Sequence, residues 1–165
     1  MNATDPSGVT IHPADGPDDM AVARTLFMEY QDWLGEDLCF QDFQSELASL
    51  PGKYRPPRGV ILLARDGDAV AGCVAMWPLE TGVCEMKRMY LREAWRGTGL
   101  GRRLAEAVVD AGRQAGYRAM RLDTLSRLTA AVTLYRSMGF KTISPYYANP
   151  LSGVMYMEKR LDEPS

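Results

Sequence analysis

The segment Trp95-Arg96-Gly97-Thr98-Gly99-Leu100-Gly101-Arg102 is where residue types and spacing bear most directly on chemistry. Alternate glycines let a backbone pass close to a ligand with its N–H groups turned inward. The helix expected to follow brings its positive dipole end to the same place. Arg96 and Arg102 can add charge-assisted hydrogen bonds, so the combination suits a pyrophosphate. It is not a Walker A loop, because no Gly-Lys-Ser/Thr follows. It is not a dinucleotide fingerprint either, because Arg102 stands where the third glycine belongs. By itself a glycine turn serves a purely structural role equally well. Tyr135 is a phenol that stays protonated at neutral pH, with an ordinary pKa of ~10, and can donate a proton. Its spacing from Leu128, Val132 and Met138 also fits a core position on a helix. Glu85 can accept a proton, but it alternates with Lys87 on an otherwise apolar strand, and a solvated strand face explains it as well. Cys84 has no histidine to activate it and reads as a small buried residue, while Met86 and Met89 read as core.

The elements that would position these groups follow from periodicity and punctuation. Val9 to His12 reads as an opening strand closed by Pro13. Met20, Ala23, Phe27, Tyr30 and Leu34 fall at helical spacing with Gly35 as the stop, and a short helix is expected from Asp42 to Leu50. The proline-rich stretch 51–59 is a loop. Val60 to Ala64 and Ala69 to Trp77 form a hairpin across Asp66-Gly67-Asp68, and Val83 to Leu91 is a third strand after the Thr81-Gly82 turn. Leu100, Leu104, Val108, Ala111 and Ala115 repeat at helical spacing and end at Gly116. Arg118 to Thr124 is strand-like, Thr129 to Met138 helical, and Val154 to Lys159 a final strand. The order β-α-α-β-β-β-α-β-α-β-β describes one α/β domain over residues 1–165, a mixed sheet with helices on it.

Composition bounds the rest. Hydrophobic residues at 46% and charged residues at 24% belong to a globular chain, which excludes a disordered or fibrous one. No apolar run approaches the length of a membrane span, and the polar start Met1 to Pro6 lacks the features of a signal peptide. Cys39, Cys73 and Cys84 are too few for a disulfide framework, and the lone His12 rules out a histidine-rich metal site. The expectation is a reduced, cytoplasmic protein with no metal, no membrane and no nucleic-acid partner, as a monomer or homodimer. Residues 15–50 carry nine acids against one base, whereas residues 87–136 carry eleven bases against four acids. That asymmetry fits two solvated faces, or a site that holds a polyanion on one side and welcomes a cation on the other.

The run from Glu85 to Gly101 resembles the acetyl-CoA motif of the GNAT superfamily of N-acetyltransferases, with Arg96, Gly99 and Gly101 at the fixed positions of its Arg/Gln-x-x-Gly-x-Gly/Ala signature. The resemblance continues through Ala115-Gly116-Tyr117-Arg118 and Arg121-Leu122-Asp123-Thr124. It ends on Ala131-Val132-Thr133-Leu134-Tyr135-Arg136-Ser137-Met138-Gly139-Phe140, similar to the family's second signature. It covers about two-thirds of the chain, from Val60 onward. It implies a single GNAT-like α/β (α+β) domain, a mixed, mostly antiparallel sheet of about seven strands flanked by about four helices. Acetyl-CoA would be bound mainly by residues 84–140 and an amine acceptor mainly by residues 15–58. The resemblance implies that Met89, Tyr90 and Leu91 offer backbone groups to the pantetheine arm. The backbone from Arg96 through Gly97, Thr98, Gly99, Leu100 and Gly101 to Arg102 would take the pyrophosphate. Tyr135 would lie near the thioester sulfur, and Glu85 stands where some members keep a general base. The function implied is direct acetyl transfer from acetyl-CoA to a primary amine of a small molecule or peptide. The alternative is a non-catalytic acyl-CoA-binding regulatory module. The Pro145 to Pro150 loop, with Tyr146 and Tyr147, reads either as a substrate-side loop or as a turn packed on the sheet.

Overall fold

Runs of β-branched and aromatic residues form seven strands, and stretches of 3.6-residue apolar periodicity form four α-helices, in the computed structural model, which describes residues 8–38 and 42–162. Cys39 and the Met1 to Pro6 start lie outside the described residues. The elements are β1 (Val9–Pro13), α1 (Gly16–Leu34), α2 (Phe43–Ala48), β2 (Val60–Asp66), β3 (Ala69–Glu80), β4 (Val83–Leu91), α3 (Leu100–Gln114), β5 (Ala119–Leu125), α4 (Thr129–Ser137), β6 (Lys141–Ile143) and β7 (Val154–Arg160). The expected elements are present. The main differences are a longer β3, which runs on past Trp77 to Glu80, and a shorter α2.

The strands form one sheet in the order β1-β2-β3-β4-β5-β7-β6. All neighbours are antiparallel except β4 and β5, which are parallel and joined by the α3 crossover. Helices cover both faces. Leu100, Leu104 and Val108 of α3 pack with Met86, Met120 and Met157 on one face. Leu26 and Phe27 of α1 and Phe43 of α2 pack with Ile61, Leu63 and Cys73 on the other. Strand β2 shows why its sequence is uniformly apolar: Leu62 and Ala64 enter the first core, Ile61 and Leu63 the second. Helix α1 opens with Pro17 and the dipole-compatible Asp18 and Asp19, and ends at Gly35, whose left-handed backbone (φ 75°) donates its N–H to Gln31 O at 3.0 Å.

One irregularity sets up the site. Cys73 pairs with Tyr90 and Ala75 with Lys87, so Val74 alone opposes both Arg88 and Met89: a β-bulge on β4. Arg88 takes φ 59°, in the left-handed region that side chains rarely adopt. The extra residue shifts the strand's phase. Cys84 and Met86 enter the α3-side core before the bulge, and Met89 and Leu91 pack against it afterwards. Lys87 and Arg88 therefore both face α1 and α2, Lys87 over Trp77 and Arg88 over Phe43 and Tyr30. Among the described residues no helix is long and apolar enough to cross a membrane, and no group of acids, histidines and cysteines is arranged to hold a metal ion.

Candidate active site

Strands β4 and β5 pair over three residues only, Val83 with Ala119, Cys84 with Met120 and Glu85 with Arg121. Past that point they part, and a cavity of about 450 Å³ opens between them. This volume lies within the usual range for small-molecule sites. Its walls include Met86 to Leu91 of β4, Leu122 to Leu125 of β5, the glycine turn and Tyr135 of α4. The separation leaves the β5-facing edge of β4 without a strand partner, so its backbone groups are available to a ligand.

At one end stands the glycine turn. Gly97 (φ 76°) and Gly99 (φ 90°) both need the left-handed backbone, and the space a Cβ would enter is open at each. Thr98 Oγ1 donates to Trp95 O at 2.7 Å, which folds the turn back on itself. Leu100 is fully buried and seats the first turn of α3 in the core. Arg96 donates from Nε to Leu91 O at 2.9 Å and stacks its guanidinium over Trp33 and Tyr90. Arg102 donates to Ser137 Oγ at 2.5 Å, bridging α3 and α4. Of the residues singled out in the sequence, the cavity gathers Met89, Tyr90, Leu91, Arg96, Gly97, Gly99, Gly101, Arg102 and Tyr135. The side chains of Thr98 and Leu100 are spent on the turn and the core.

Tyr135 is 5% exposed and packs edge-on to Phe140, so the core position expected from its spacing and a place on the cavity wall are both realised. Burial, reinforced by the neighbouring Tyr30 phenol and Asp123 carboxylate, pushes its phenol well above the usual range. Its hydroxyl makes no hydrogen bond among the described residues. Tyr135 therefore carries a proton over the whole range in which the protein would work.

Glu85 departs from expectation. It is 3% exposed and does not line the cavity, so the solvated strand face is not realised and its side chain sits among buried partners. Its Oε1 accepts from Trp77 Nε1 at 2.8 Å, and its Oε2 accepts from the Tyr146 hydroxyl at 2.5 Å. Lys87 Nζ lies 3.8 Å from Oε1, and burial lowers the Lys87 pKa despite this partner. Both carboxylate oxygens are thus committed to structure. Cys84 is equally inert: burial pushes its thiol up to about 12.

The connection between β6 and β7, residues 144–153, spans the opening where the strands part. Tyr146 is anchored on Glu85 of β4, while Tyr147 donates to Asp123 of β5 and Asn149 Nδ2 donates to the same Asp123 oxygen at 2.8 Å. Rings of Tyr146, Tyr147 and Tyr156 pack on one another at 5.2–5.7 Å. From sequence, Asp123 stands only within a motif, Tyr30 only as an apolar position of the first helix, and Trp33 is unmarked. All three line the cavity. The signal was present: a lone acid on an otherwise apolar strand end, and aromatics three residues apart at the end of α1.

Four acids of the N-terminal third are paired with arginines. Asp19 pairs with Arg65, Glu29 with Arg92, Glu46 with Arg88 and Glu36 with Arg127. Three of these pairs join the acidic segment 15–50 to the basic segment 87–136, so part of the sequence asymmetry is ion pairing across the fold, which weakens it as an argument for a cation-binding face.

The chain matches the model of the Acetyltransferase (GNAT) family over residues 22–140. An uncharacterised N-acetyltransferase of Schizosaccharomyces pombe is 43% identical over 160 residues, covering 96% of this chain and 98% of that protein. A proposed acyl-CoA N-acyltransferase from Klebsiella pneumoniae superposes with a TM-score of 0.73 at 26% identity, over 94% of this chain and 99% of that one. The yncA protein of Salmonella typhimurium, solved with its cofactor acetyl-CoA, has a TM-score of 0.66 at 22% identity, over 95% and 96%. A bulged β4, its divergence from β5 and the glycine turn at the mouth thus occur in a chain whose sequence matches one family across most of its length, and the chain belongs to the GNAT acetyltransferase family, as an acyltransferase of the N-acetyltransferase class.

Proposed function

We propose that this protein transfers the acetyl group of acetyl-CoA directly to a primary amine, with Tyr135 as the proton donor to the departing thiolate. The observation that carries the reading is the parting of β4 and β5 after Glu85 and Arg121, which leaves an unpaired strand edge beside a cationic glycine turn. The residues present fit the co-substrate. Open left-handed glycines and the N-terminus of α3 suit a pyrophosphate, and Arg96 and Arg102 add charge. Backbone groups of Met89, Tyr90 and Leu91 suit the amide-bearing pantetheine arm, which would lie along β4 as an added strand. Acetyl-CoA supplies an activated thioester carbonyl.

This chain's part is to hold that carbonyl, exclude water and move protons. The β4 bulge frees backbone N–H groups near Met89 from the ladder, and one aimed into the cavity can stabilise the oxygen that gains charge as nitrogen attacks. Tyr135, kept protonated by burial, gives its proton to sulfur as the C–S bond breaks. Cys73 and Cys84 are buried free thiols that do not line the cavity, which supports direct transfer over a cysteine-bound intermediate. Their reduced state suits a cytoplasmic setting.

Calorimetry with acetyl-CoA, CoA, ATP and NAD tests the reading, followed by thiol release with an amine panel. Binding of CoA and acetyl-CoA alone, with amine-dependent thiol release, is the expected result. Acetyl-CoA binding with no thiol release for any amine would support the non-catalytic module instead. No structural feature favours that alternative, since Tyr135 lines the same cavity as the glycine turn.

A further inference from the structure

The two carboxylates that the 144–153 connection reaches are held in different ways. Glu85 has a donor on each oxygen. On Asp123 both donors, the Tyr147 hydroxyl and Asn149 Nδ2, land on Oδ2. Oδ1 has no hydrogen-bond partner among the described residues. It is not a sealed atom either, since no buried side-chain oxygen among them lacks a partner. Asp123 is also the one carboxylate among the described residues lining the cavity. The charged groups beside it are Lys87, with Glu85 at 3.8 Å from it, and Arg88, both of whose donating nitrogens named here grip Glu46.

The walls on this side of the cavity are apolar and aromatic: Tyr30, Leu34 and Leu38 from α1 and the turn after it, Leu125 and Leu128 after β5, and Leu151 from the β6–β7 connection. A carboxylate with one oxygen fixed by two donors and the other open presents a single, oriented site for a cation. Apolar walls around it leave no partner for a second positive charge on the same molecule, and Lys87 and Arg88 already face Glu85 and Glu46 rather than an incoming anion. Tyr135 lies close enough for the Asp123 charge to reinforce the upward shift of its phenol, so the two groups flank the same space.

We infer that Asp123 Oδ1 receives the acceptor's ammonium group and takes its proton, and that the acceptor is a primary amine carried on an apolar or aromatic body. The inference rests on the acetyl-transfer reading above and names its acceptor side. The protons balance. Asp123 removes one proton from the ammonium and later releases it to water. The neutral nitrogen forms its bond to the carbonyl carbon, the C–S bond breaks, and sulfur takes the Tyr135 proton. The second proton lost by nitrogen returns to the Tyr135 oxygen, leaving amide, free thiol and one proton in solution. Tyr147 and Asn149 are positioning residues: by occupying Oδ2 they aim Oδ1 into the cavity.

The test is thiol release from acetyl-CoA by the whole chain with butylamine, hexylamine, 2-phenylethylamine, spermidine and glycine. Each buried methylene is worth about fourfold in affinity, so hexylamine should exceed butylamine by about tenfold or more in kcat/KM. 2-Phenylethylamine should rank with hexylamine, and spermidine and glycine should be poorest. Asp123→Asn keeps the shape and the Asn149 contact but loses the charge and the base, and should lower kcat/KM by 10²–10⁴-fold with acetyl-CoA affinity within about twofold. A preference for spermidine or glycine overturns the acceptor class, and an Asp123→Asn enzyme of near-normal kcat/KM overturns the role of Asp123. If that variant fails to fold, the amine ranking on the unaltered chain still decides. Failure of acetyl-CoA to bind the unaltered chain would sink the underlying reading instead, and is seen separately by calorimetry.

Discussion

Arg88, in a left-handed backbone conformation at the β4 bulge, holds both carboxylate oxygens of Glu46, with Nε 2.9 Å from Oε2 and Nη2 2.7 Å from Oε1. Tyr54 donates to the same Glu46 at 3.0 Å. The pair is almost wholly buried, and it ties α2 to the strand irregularity beside the cavity. Glu46→Ala would leave a buried guanidinium without its counter-charge. We expect a loss of about 3–5 kcal/mol in urea unfolding, far above the ~0–1 kcal/mol of an exposed pair. A loss under ~1 kcal/mol would mean that water or another group replaces Glu46.

Gly99 and Gly101 separate the ligand role of the turn from its folding role. A Cβ on Gly101 would meet only Leu91 and Leu134, at 3.5 and 3.8 Å, and the residue lies in the first turn of α3. Gly101→Ala should therefore be neutral or stabilising by about 0.5 kcal/mol. Gly99 has φ 90°, so Gly99→Val should destabilise by roughly 1–2 kcal/mol. Both place carbon where a pyrophosphate would approach the backbone, and both should weaken acetyl-CoA by tenfold or more in calorimetry. Opposite signs on stability with the same sign on binding would be hard to explain by folding. Unchanged affinity in either folded variant would remove the turn from the site.

How much of this was readable beforehand differs from element to element. Strand β4 was legible as Val83–Leu91 because its apolar run is bounded by Gly82 and by the glycine turn. Its bulge was not, since Arg88 and Met89 oppose one residue only through pairing with β3, a non-local fact. The glycine turn and Tyr135 carry local spacing, so they could be found from sequence. Glu85 was placed on the correct strand, but its burial and its partners were not legible, because Trp77 and Tyr146 come from 8 and 61 residues away. Asp123 is the reverse case: a lone acid near a strand end marks it locally, but its surroundings come from Tyr147, Asn149 and the parting of two strands. The share of the charge asymmetry that is ion pairing was hidden for the same reason, since Glu29 and Arg92 are partners 63 residues apart.

Tyr135 makes a prediction about pH. A proton donor acts while protonated, that is, below its pKa, so an upward shift moves the alkaline fall in kcat to higher pH. Burial first, then the neighbouring Tyr30 phenol and the Asp123 carboxylate, push Tyr135 upward. With a saturating amine, kcat should show no loss traceable to this group up to pH 10, where an unperturbed tyrosine with a pKa of ~10 would have halved it. Tyr135→Phe should lower kcat by 10²–10⁴-fold with little change in CoA affinity. A loss within about threefold would assign proton delivery to water and leave Tyr135 as packing against Phe140.

Glu85 and Tyr146 give the sharpest contrast between a base and an anchor. In Glu85→Gln the side-chain amide can replace only one of the two acceptor oxygens, so either Trp77 Nε1 or the Tyr146 hydroxyl meets an N–H instead. That leaves a buried donor unsatisfied, at a cost of about 1–3 kcal/mol. If Glu85 anchors the β6–β7 connection, the damage is mechanical: the acceptor KM rises as the connection loosens, while kcat stays within about threefold. Tyr146→Phe removes the same tether from the other side and should reproduce the KM effect, without touching any carboxylate. If Glu85 were the base, Glu85→Gln would instead lower kcat by 10²–10⁴-fold and Tyr146→Phe would not follow it. Steady-state kinetics on the two variants, with one amine and saturating acetyl-CoA, therefore decide the point. Parallel KM increases with kcat preserved identify an anchor; a collapse of kcat in Glu85→Gln alone restores the base.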